Sequence, residues 1–274
     1  MTIRSVVLLT FIVGIGATAA QAAPSQSCMP PVEVANVPIV QVEPNGMLVT
    51  NDGRAVKLEG LLLPGGARDH APQFLVGQSL TELSDLTHGH LVNLLAKPPK
   101  EDRYGRVRSQ VIVSDNAAEP WVQITMLRLG LARVSISPDR TECAKELYAA
   151  ESEAREKHSG LWSQASYAAL SAANVPLSNL GTFQIVEGMV ANAAVHSGRA
   201  YINFGVDWKS DFTVTISPED MKNFRDMNID PATYYTGKTL RVRGVVEQLN
   251  GPEIEVAAPA QIEEISELRP AVVQ

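Results

Sequence analysis

The stretch Asp102-Arg103-Tyr104-Gly105-Arg106 is a polar turn between two apolar segments, residues 90–96 and 107–113. The second segment is rich in β-branched residues, and such flanks predict two antiparallel strands joined by a polar connection. Gly105 has no Cβ and can adopt backbone conformations that larger residues rarely adopt. The planar guanidinium of Arg106 suits the paired oxygens of a phosphate. A solvated turn that binds nothing is the alternative, since most charged turns lie free in water.

The elements around this turn predict a small barrel. Upstream, strand-like residues 32–42, 47–49 and 55–63 are joined by short turns and form a meander. Helical patterns follow, and extended residues 131–136 separate the last two helices. The three predicted helices span residues 78–87, 121–130 and 139–157. Five strands with an interposed helix suit a closed barrel of the oligonucleotide/oligosaccharide-binding (OB) type.

A second strand-rich block follows an Ala/Ser-rich linker at residues 164–181. Residues 182–266 again show a pattern of five strands and one helix, which predicts a second small OB-like β-barrel. Residues 267–274 are predicted to be a loose tail. The predicted fold class is therefore mainly β with helices (α+β), with the first barrel domain at residues 32–163.

The N-terminus predicts export. Residues 1–22 contain an early cation, a short apolar run and an Ala-Gln-Ala cleavage signal, as in a secretory signal peptide. The apolar run is shorter than the roughly 20 residues that a membrane span needs, although a retained anchor is the alternative. We therefore expect a periplasmic or secreted protein with no membrane insertion after signal removal.

The charge balance argues against a protein that coats nucleic acid electrostatically. The chain has 23 Lys and Arg against 30 Asp and Glu, a formal net charge of −7, whereas such binding relies on many cation–phosphate contacts. A local basic groove remains compatible with this balance. Its candidate residues are Lys97, Lys100, Arg103, Arg106, Arg108, Arg128 and Arg133.

Cys28 and Cys143 are the chain's two cysteines. In an oxidising compartment a single pair predicts one disulfide, and two separate thiols are the alternative. The bridge would close a loop of more than a hundred residues, which the chain-entropy model values at about 4–5 kcal/mol.

Four stretches occur in a particular order and spacing. They are residues 56–64 (Val-Lys-Leu-Glu-Gly-Leu-Leu-Leu-Pro), 102–106, 126–134 (Met-Leu-Arg-Leu-Gly-Leu-Ala-Arg-Val) and 150–162, which ends Ser-Gly-Leu-Trp. On these stretches, residues 38–163 resemble the staphylococcal-nuclease-like (thermonuclease) family. The second block resembles a C-terminal domain seen beside such nucleases in bacterial exported proteins. This weaker likeness rests on Asn203-Phe204-Gly205, Asp207-Trp208, Asp211-Phe212-Thr213 and Arg241-Val242-Arg243-Gly244.

The resemblance implies a calcium-dependent phosphodiesterase with a five-stranded barrel. Active members place carboxylates on the metal, a glutamate beside the attacking water and two arginines on the phosphate. Carboxylate oxygens suit a hard cation such as Ca²⁺, and the arginines stabilise an anionic transition state. Carried onto this chain, the second phosphate arginine is Arg106 and the first is replaced by Lys57, which keeps the charge but loses the bidentate fork.

The other implied site positions carry no acid in this chain. The metal carboxylate of the third strand falls on Leu62, the glutamate on Gly65, and the first-hairpin aspartates near Asn45 and Met47. We therefore expect no metal site and no cofactor here, although active relatives use Ca²⁺. The nearby acids are Asp52 in a turn, Glu59 on the opposite strand face from Leu62, and Asp69 in the following loop.

Other site chemistry is weakly indicated. His88 and His90 lack the four convergent ligands that zinc needs. Tyr201, Phe204 and Trp208 in the second block form either a stacking platform for bases or part of the core.

The predicted function is an exported thermonuclease-family protein that is catalytically degenerate and serves as a nucleic-acid-binding or interaction module. Tyr104 and Arg103 are its predicted binding residues; Arg106 and Lys57 would face a phosphate if the site were active. An active phosphodiesterase with a rearranged metal site, using Asp69, is one alternative, and an envelope scaffold that binds protein partners is another. Whether the protein is an enzyme stays open, because the fold is that of a nuclease while the metal and general-base carboxylates are missing.

Overall fold

The structure is a computed structural model that describes residues 28–118, 120–207 and 209–266. The predicted signal peptide at residues 1–22 and the predicted tail at residues 267–274 lie outside the described residues, as does Trp208. None of the helices described is both long enough and apolar enough to cross a bilayer.

The first unit contains seven strands and three α-helices among the described residues. In chain order they are β1 (Val32–Val42), β2 (Leu48–Thr50), β3 (Ala55–Leu58), β4 (Gly60–Leu62), α1 (Gln73–Thr87), β5 (Leu91–Leu95), β6 (Val107–Val113), α2 (Val122–Arg128), β7 (Arg133–Ser135) and α3 (Ala144–Glu156).

Five of these strands close into a barrel in the order β1-β2-β3-β6-β5. All neighbours are antiparallel except β3 and β6, which run parallel. The strands β5 and β6 flank the 102–106 turn and pair with Leu95 opposite Gln110, which confirms the predicted hairpin. Ile39, Val56, Leu94 and Val111 are fully buried inside this unit. The predicted five-stranded barrel is confirmed.

The predicted third strand is two strands in the structure, because the chain bends at Gly60. This residue has a φ of +87°, which L side chains rarely adopt. A Cβ built there would lie 2.5 Å from a methyl of Leu147. After the bend, β4 leaves the barrel and pairs with β7.

The third helix begins at Ala144, later than its predicted start at residue 139. The guanidinium of Arg140 donates to the carbonyl oxygens of Lys97 at 2.9 Å and Pro98 at 3.4 Å. These hydrogen bonds hold the segment around Arg140, before the start of α3, against the β5–β6 connection. The helix is therefore shorter than its local sequence pattern predicts.

The second unit consists mainly of short strands. Its elements are β8 (Leu170–Ser171), β9 (Phe183–Met189), β10 (Asn192–His196), β11 (Arg199–Asn203), β12 (Thr213–Ile216), α4 (Met221–Arg225), α5 (Pro231–Tyr234), β13 (Thr239–Val245), β14 (Glu247–Gln248), β15 (Pro252–Glu255) and β16 (Ile262–Glu264).

These strands form two sheets, ordered β10-β11-β12-β15-β14 and β16-β13-β9-β8. A second closed barrel is therefore not confirmed in the residues that the structure describes. Val214 of the first sheet and Val242 of the second are fully buried in one core, together with Phe224 from α4. The predicted linker also contributes to this unit, because β8 pairs with β9 and Ala172 is buried in the same core.

Buried ion pairs connect the two units. Arg155 in α3 donates to Glu187 in β9 at 2.9 Å, and the same carboxylate accepts from Arg241 at 2.7 Å. Nearby, the guanidinium of Arg243 contacts Glu151 of α3 at 2.5 Å. We call these residues the inter-unit ion network.

Candidate functional site

A cavity of about 430 Å³ lies between the β1–β2 turn, β3, β4 and α1. Five positions at which the family resemblance implies a site residue carry a different residue type in this chain, and all five line this cavity. They are Asn45, Met47, Lys57, Leu62 and Gly65. Arg106 is not part of this lining. We call this space the first-unit cavity.

The wall of the first-unit cavity does not fit a calcium ion. Calcium takes six to eight oxygen ligands, mostly carboxylates and carbonyls, whereas the wall here consists mainly of leucine, methionine, proline and glycine. Of the described residues that line it, Lys57 alone carries a charge, and its ammonium lies 3.9 Å from the Glu59 carboxylate. Across the described parts of the chain, no three His, Cys, Asp or Glu side chains gather in a metal-binding arrangement.

The backbone at Gly65, where the family resemblance implies a glutamate, leaves little room for a side chain. Its φ is +92°, and a Cβ there would lie 2.9 and 3.0 Å from the two γ-methyls of Val76. A larger residue would suffer both backbone strain and a clash with α1. The local backbone, and not only the residue type, therefore disfavours a glutamate at this position.

Asp69 lies next to this cavity, but other groups hold its carboxylate. Oδ2 accepts from the amide of Gly65 at 3.1 Å, and the hydroxyl of Tyr167 lies 2.9 Å from both oxygens. The buried guanidinium of Arg133 approaches Oδ1 to 3.3 Å. The carboxylate that an active, rearranged site would need is thus tied to the segment that leads into the second unit.

The 102–106 turn is organised by Asp102. Its carboxylate accepts from the amides of Tyr104 at 2.9 Å and Arg106 at 3.1 Å, and from Nε of Arg106 at 2.7 Å. Burial acts to raise the pKa of Asp102, but these hydrogen bonds outweigh it and lower that pKa to about 2. The phosphate-facing guanidinium predicted at Arg106 is therefore already paired with an anion.

Tyr104 is the exposed centre of this turn. Its side chain is 65 % exposed, and the guanidinium carbons of Arg103 and Arg106 each lie 4.8 Å from its ring centroid. Sites that bind single-stranded nucleic acid combine an aromatic ring, on which a base stacks, with cations that contact the phosphate. Tyr104 and the two arginines provide this combination.

Six of the seven candidate groove cations form ion pairs. The pairs are Lys97–Glu142, Lys100–Glu33, Arg106–Asp102, Arg108–Glu59, Arg128–Glu153 and Arg133–Asp69. Among the described residues Arg103 forms no ion pair. These seven residues therefore do not form a continuous row of unpaired cations.

The predicted disulfide between Cys28 and Cys143 is confirmed, with a Cα–Cα distance of 5.1 Å across a sequence separation of 115 residues. A structural disulfide fits an extracellular or periplasmic protein, because reducing compartments rarely preserve one.

The aromatic residues of the second unit, for which the sequence left a stacking platform and core packing as alternatives, have different surroundings. Phe204 packs 5.2 Å from the buried Phe212, centroid to centroid, and contributes to the core. Tyr201 instead lines a second cavity with Glu253. Sequence reasoning did not single out Glu253, because the stretch Glu253-Ile254-Glu255-Val256 alternates acidic and apolar residues, as in a strand with one face in water.

Residues 78–164 match the family model described as Staphylococcal nuclease homologue. The matched residues include the 102–106 turn, while the first-unit cavity is lined mostly by residues before the match begins. The match indicates a nuclease-like or nucleic-acid-binding capacity. The comparison with curated proteins finds no match.

Proposed function

Since the first unit is a staphylococcal-nuclease-like domain, we propose that it binds single-stranded nucleic acid or a related phosphate-containing ligand without cleaving it. The observation that carries the proposal is the wall of the first-unit cavity. At the positions where the family resemblance implies metal ligands and a base, the cavity wall carries leucine, methionine and glycine. These side chains supply neither a ligand for a metal that activates water nor a base.

Binding is assigned to the 102–106 turn. A base stacked on the exposed ring of Tyr104 contributes about 1–3 kcal/mol. Arg103 supplies a cation within reach of the same ring, and Arg106 supplies a second that remains shared with Asp102. The surface therefore offers few phosphate contacts, and stacking is expected to carry most of the affinity.

The protein is proposed to act outside the cytoplasm. The leader-like residues 1–22 motivate export, and the Cys28–Cys143 disulfide supports an oxidising compartment.

A nuclease assay tests the loss of catalysis. Purified protein lacking residues 1–22 is incubated with labelled single-stranded DNA and RNA, with calcium and without added metal. We expect no cleavage above a protein-free blank. Arg106→Ala tests the implied phosphate position, and the exposed Arg225→Ala in the second unit is its control. Calcium-dependent cleavage that disappears in Arg106→Ala and persists in Arg225→Ala would show that the domain is an active enzyme.

Fluorescence anisotropy tests the binding. The turn offers one to two phosphate contacts, from Arg103 and the shared Arg106, which predict a slope of log K against log salt of about −0.7 to −1.4 for a single strand. Tyr104→Ala should weaken binding about tenfold through the lost stack, while Tyr104→Phe, which keeps the ring, should bind like the unsubstituted protein. Absence of binding at low salt would reject nucleic acid as the ligand and favour a protein-binding scaffold.

A further inference from the structure

The first-unit cavity has an apolar wall that water can reach. Four large apolar side chains of this wall are only partly buried, and they are Met47, Leu62, Leu63 and Leu80. Apolar side chains that share one exposed surface are characteristic of binding sites. The volume of about 430 Å³ lies in the range of small-molecule sites, roughly 300–1,000 Å³. The cavity therefore has the size and the composition of a site for a ligand with an apolar part.

Close contacts hold two sides of this cavity in place. In the β1–β2 turn, a Cβ at Gly46 would overlap the Cδ1 atom of Leu63, so the Leu63 side chain packs directly on the backbone of the turn. On the other side, a Cβ at Gly65 would lie 2.9 Å from a γ-methyl of Val76. The amide of Gly65 also donates to Asp69 at 3.1 Å. The wall is therefore preformed, which lowers the cost of binding because the ligand does not have to order it.

The ammonium of Lys57 is available to a ligand in this cavity. It forms no hydrogen bond among the described residues, and the Glu59 carboxylate lies 3.9 Å away, beyond hydrogen-bond distance. Both oxygens of Glu59 have other donors, since Oε2 accepts from Nε of Arg108 at 2.9 Å and Oε1 accepts from the hydroxyl of Ser137. An ammonium can donate three hydrogen bonds. A ligand that lies against the wall can therefore present an anionic group to Lys57.

The wall favours an anion that carries an apolar chain. A small anion alone would meet one partly exposed cation, and such an ion pair contributes little. Burial of apolar ligand surface against the leucines is favourable in proportion to its area. A ribose in the same place would lose hydrogen bonds to water without replacing them. We propose that the first-unit cavity binds an amphiphile with a single aliphatic chain and an anionic head, with the chain against Leu62 and Leu80 and the head on Lys57.

Calorimetry on the chain of residues 23–274 tests the ligand class. Hexanoate, octanoate and decanoate form a chain-length series, and octyl phosphate places a different anion on the octanoate chain length. Octanol and octylamine supply an uncharged and a cationic head, and all probes are used below the concentrations at which they form micelles. We expect the affinity of the carboxylates to rise about fourfold for each added CH₂. Octanol should bind more weakly than octanoate, and octylamine more weakly still, while the ratio of octanoate to octyl phosphate identifies the preferred head.

Lys57→Met tests the head group, because it keeps an unbranched side chain and removes the charge. It should weaken octanoate binding about fivefold to tenfold and should not weaken octanol binding. The matched control is Lys222→Met on the exposed surface of the second unit, which should bind both probes like the unsubstituted protein. Equal losses for octanoate and octanol in Lys57→Met would show that Lys57 only supports the wall, and would overturn the proposal.

Methyl NMR on the unsubstituted protein locates the site without a substitution that could unfold it. Octanoate should shift the methyl signals of Met47, Leu62 and Leu80, and should leave those of the exposed Leu249 in the second unit unchanged. Adenosine monophosphate, an anion without an aliphatic chain, should not shift the first three.

Four results would overturn the proposal. They are shifts confined to residues outside the first-unit cavity, shifts of its methyl signals by adenosine monophosphate, an affinity independent of chain length, and failure of both octanoate and octyl phosphate to bind. None of these readouts depends on whether the 102–106 turn binds nucleic acid or on whether the domain cleaves it.

Discussion

At the scale of single residues, the neighbours that the fold provides determine whether a charged side chain is free to bind a ligand. Arg108 belongs to the candidate basic groove by sequence, yet its Nε donates to Glu59 at 2.9 Å and its two terminal nitrogens contact Asp139. Glu59 is 2 % exposed. Burial acts to raise the pKa of Glu59, but the Arg108 hydrogen bond and the Lys57 charge outweigh it, so that pKa is lowered.

Replacing Arg108 with leucine is predicted to destabilise the protein by about 3 kcal/mol, because it leaves the Glu59 charge buried without its main partner. This is the low end of the usual cost, since Lys57 stays 3.9 Å away. Urea unfolding measures the change. The double variant Glu59→Gln/Arg108→Leu should recover part of the loss, and a single variant as stable as the unsubstituted protein would contradict the prediction.

At the scale of elements, strands and turns follow local pattern, while element ends follow long-range contacts. The hairpin around residues 102–106 forms as predicted, because alternation and a glycine-containing turn act over neighbouring residues. The bend at Gly60 and the late start of α3 depend on Leu147 and on carbonyls near Pro98. No window of local sequence contains those partners.

The disulfide is an element-scale constraint, because it ties the segment before β1 to the residue that precedes α3. Replacing both Cys28 and Cys143 with serine is predicted to lower the free energy of unfolding by about 2–5 kcal/mol. Urea unfolding with and without reductant measures it. Reductant should destabilise the unsubstituted protein and leave the double variant unchanged; equal sensitivity of both would contradict the prediction.

At the scale of the whole molecule, the inter-unit ion network makes the two units depend on each other. Glu187 of β9 is buried between Arg155 of α3 and Arg241 of β13. Burial acts to raise the pKa of Glu187, but the hydrogen bonds and charges of the two arginines outweigh it and the pKa is lowered. A depressed carboxyl pKa contributes stability that is present above the ordinary value of 4.5 and is lost as pH falls through the folded-state value.

Glu187→Gln is predicted to destabilise the protein at pH 7 by about 3 kcal/mol, because two buried guanidinium groups lose their shared anion. It should also flatten the fall in stability below pH 4.5. Urea unfolding between pH 3 and 7 checks both effects, with the exposed Glu219→Gln as matched control. An acid dependence as steep in Glu187→Gln as in the control would contradict the assignment.

The sequence alone predicts the first barrel, its hairpin and the single disulfide. These depend on residue type, periodicity and spacing, which a linear chain displays directly, whereas the absence of acids from the nuclease positions is a prediction that rests on the family resemblance. Only the tertiary structure decides which charges neutralise each other, that Asn45, Met47, Lys57, Leu62 and Gly65 share one cavity wall, and that the second block forms two sheets. These features depend on contacts between residues that are far apart in the chain. The complete fold determines the neighbours of each side chain, and the neighbours determine its charge state and accessibility.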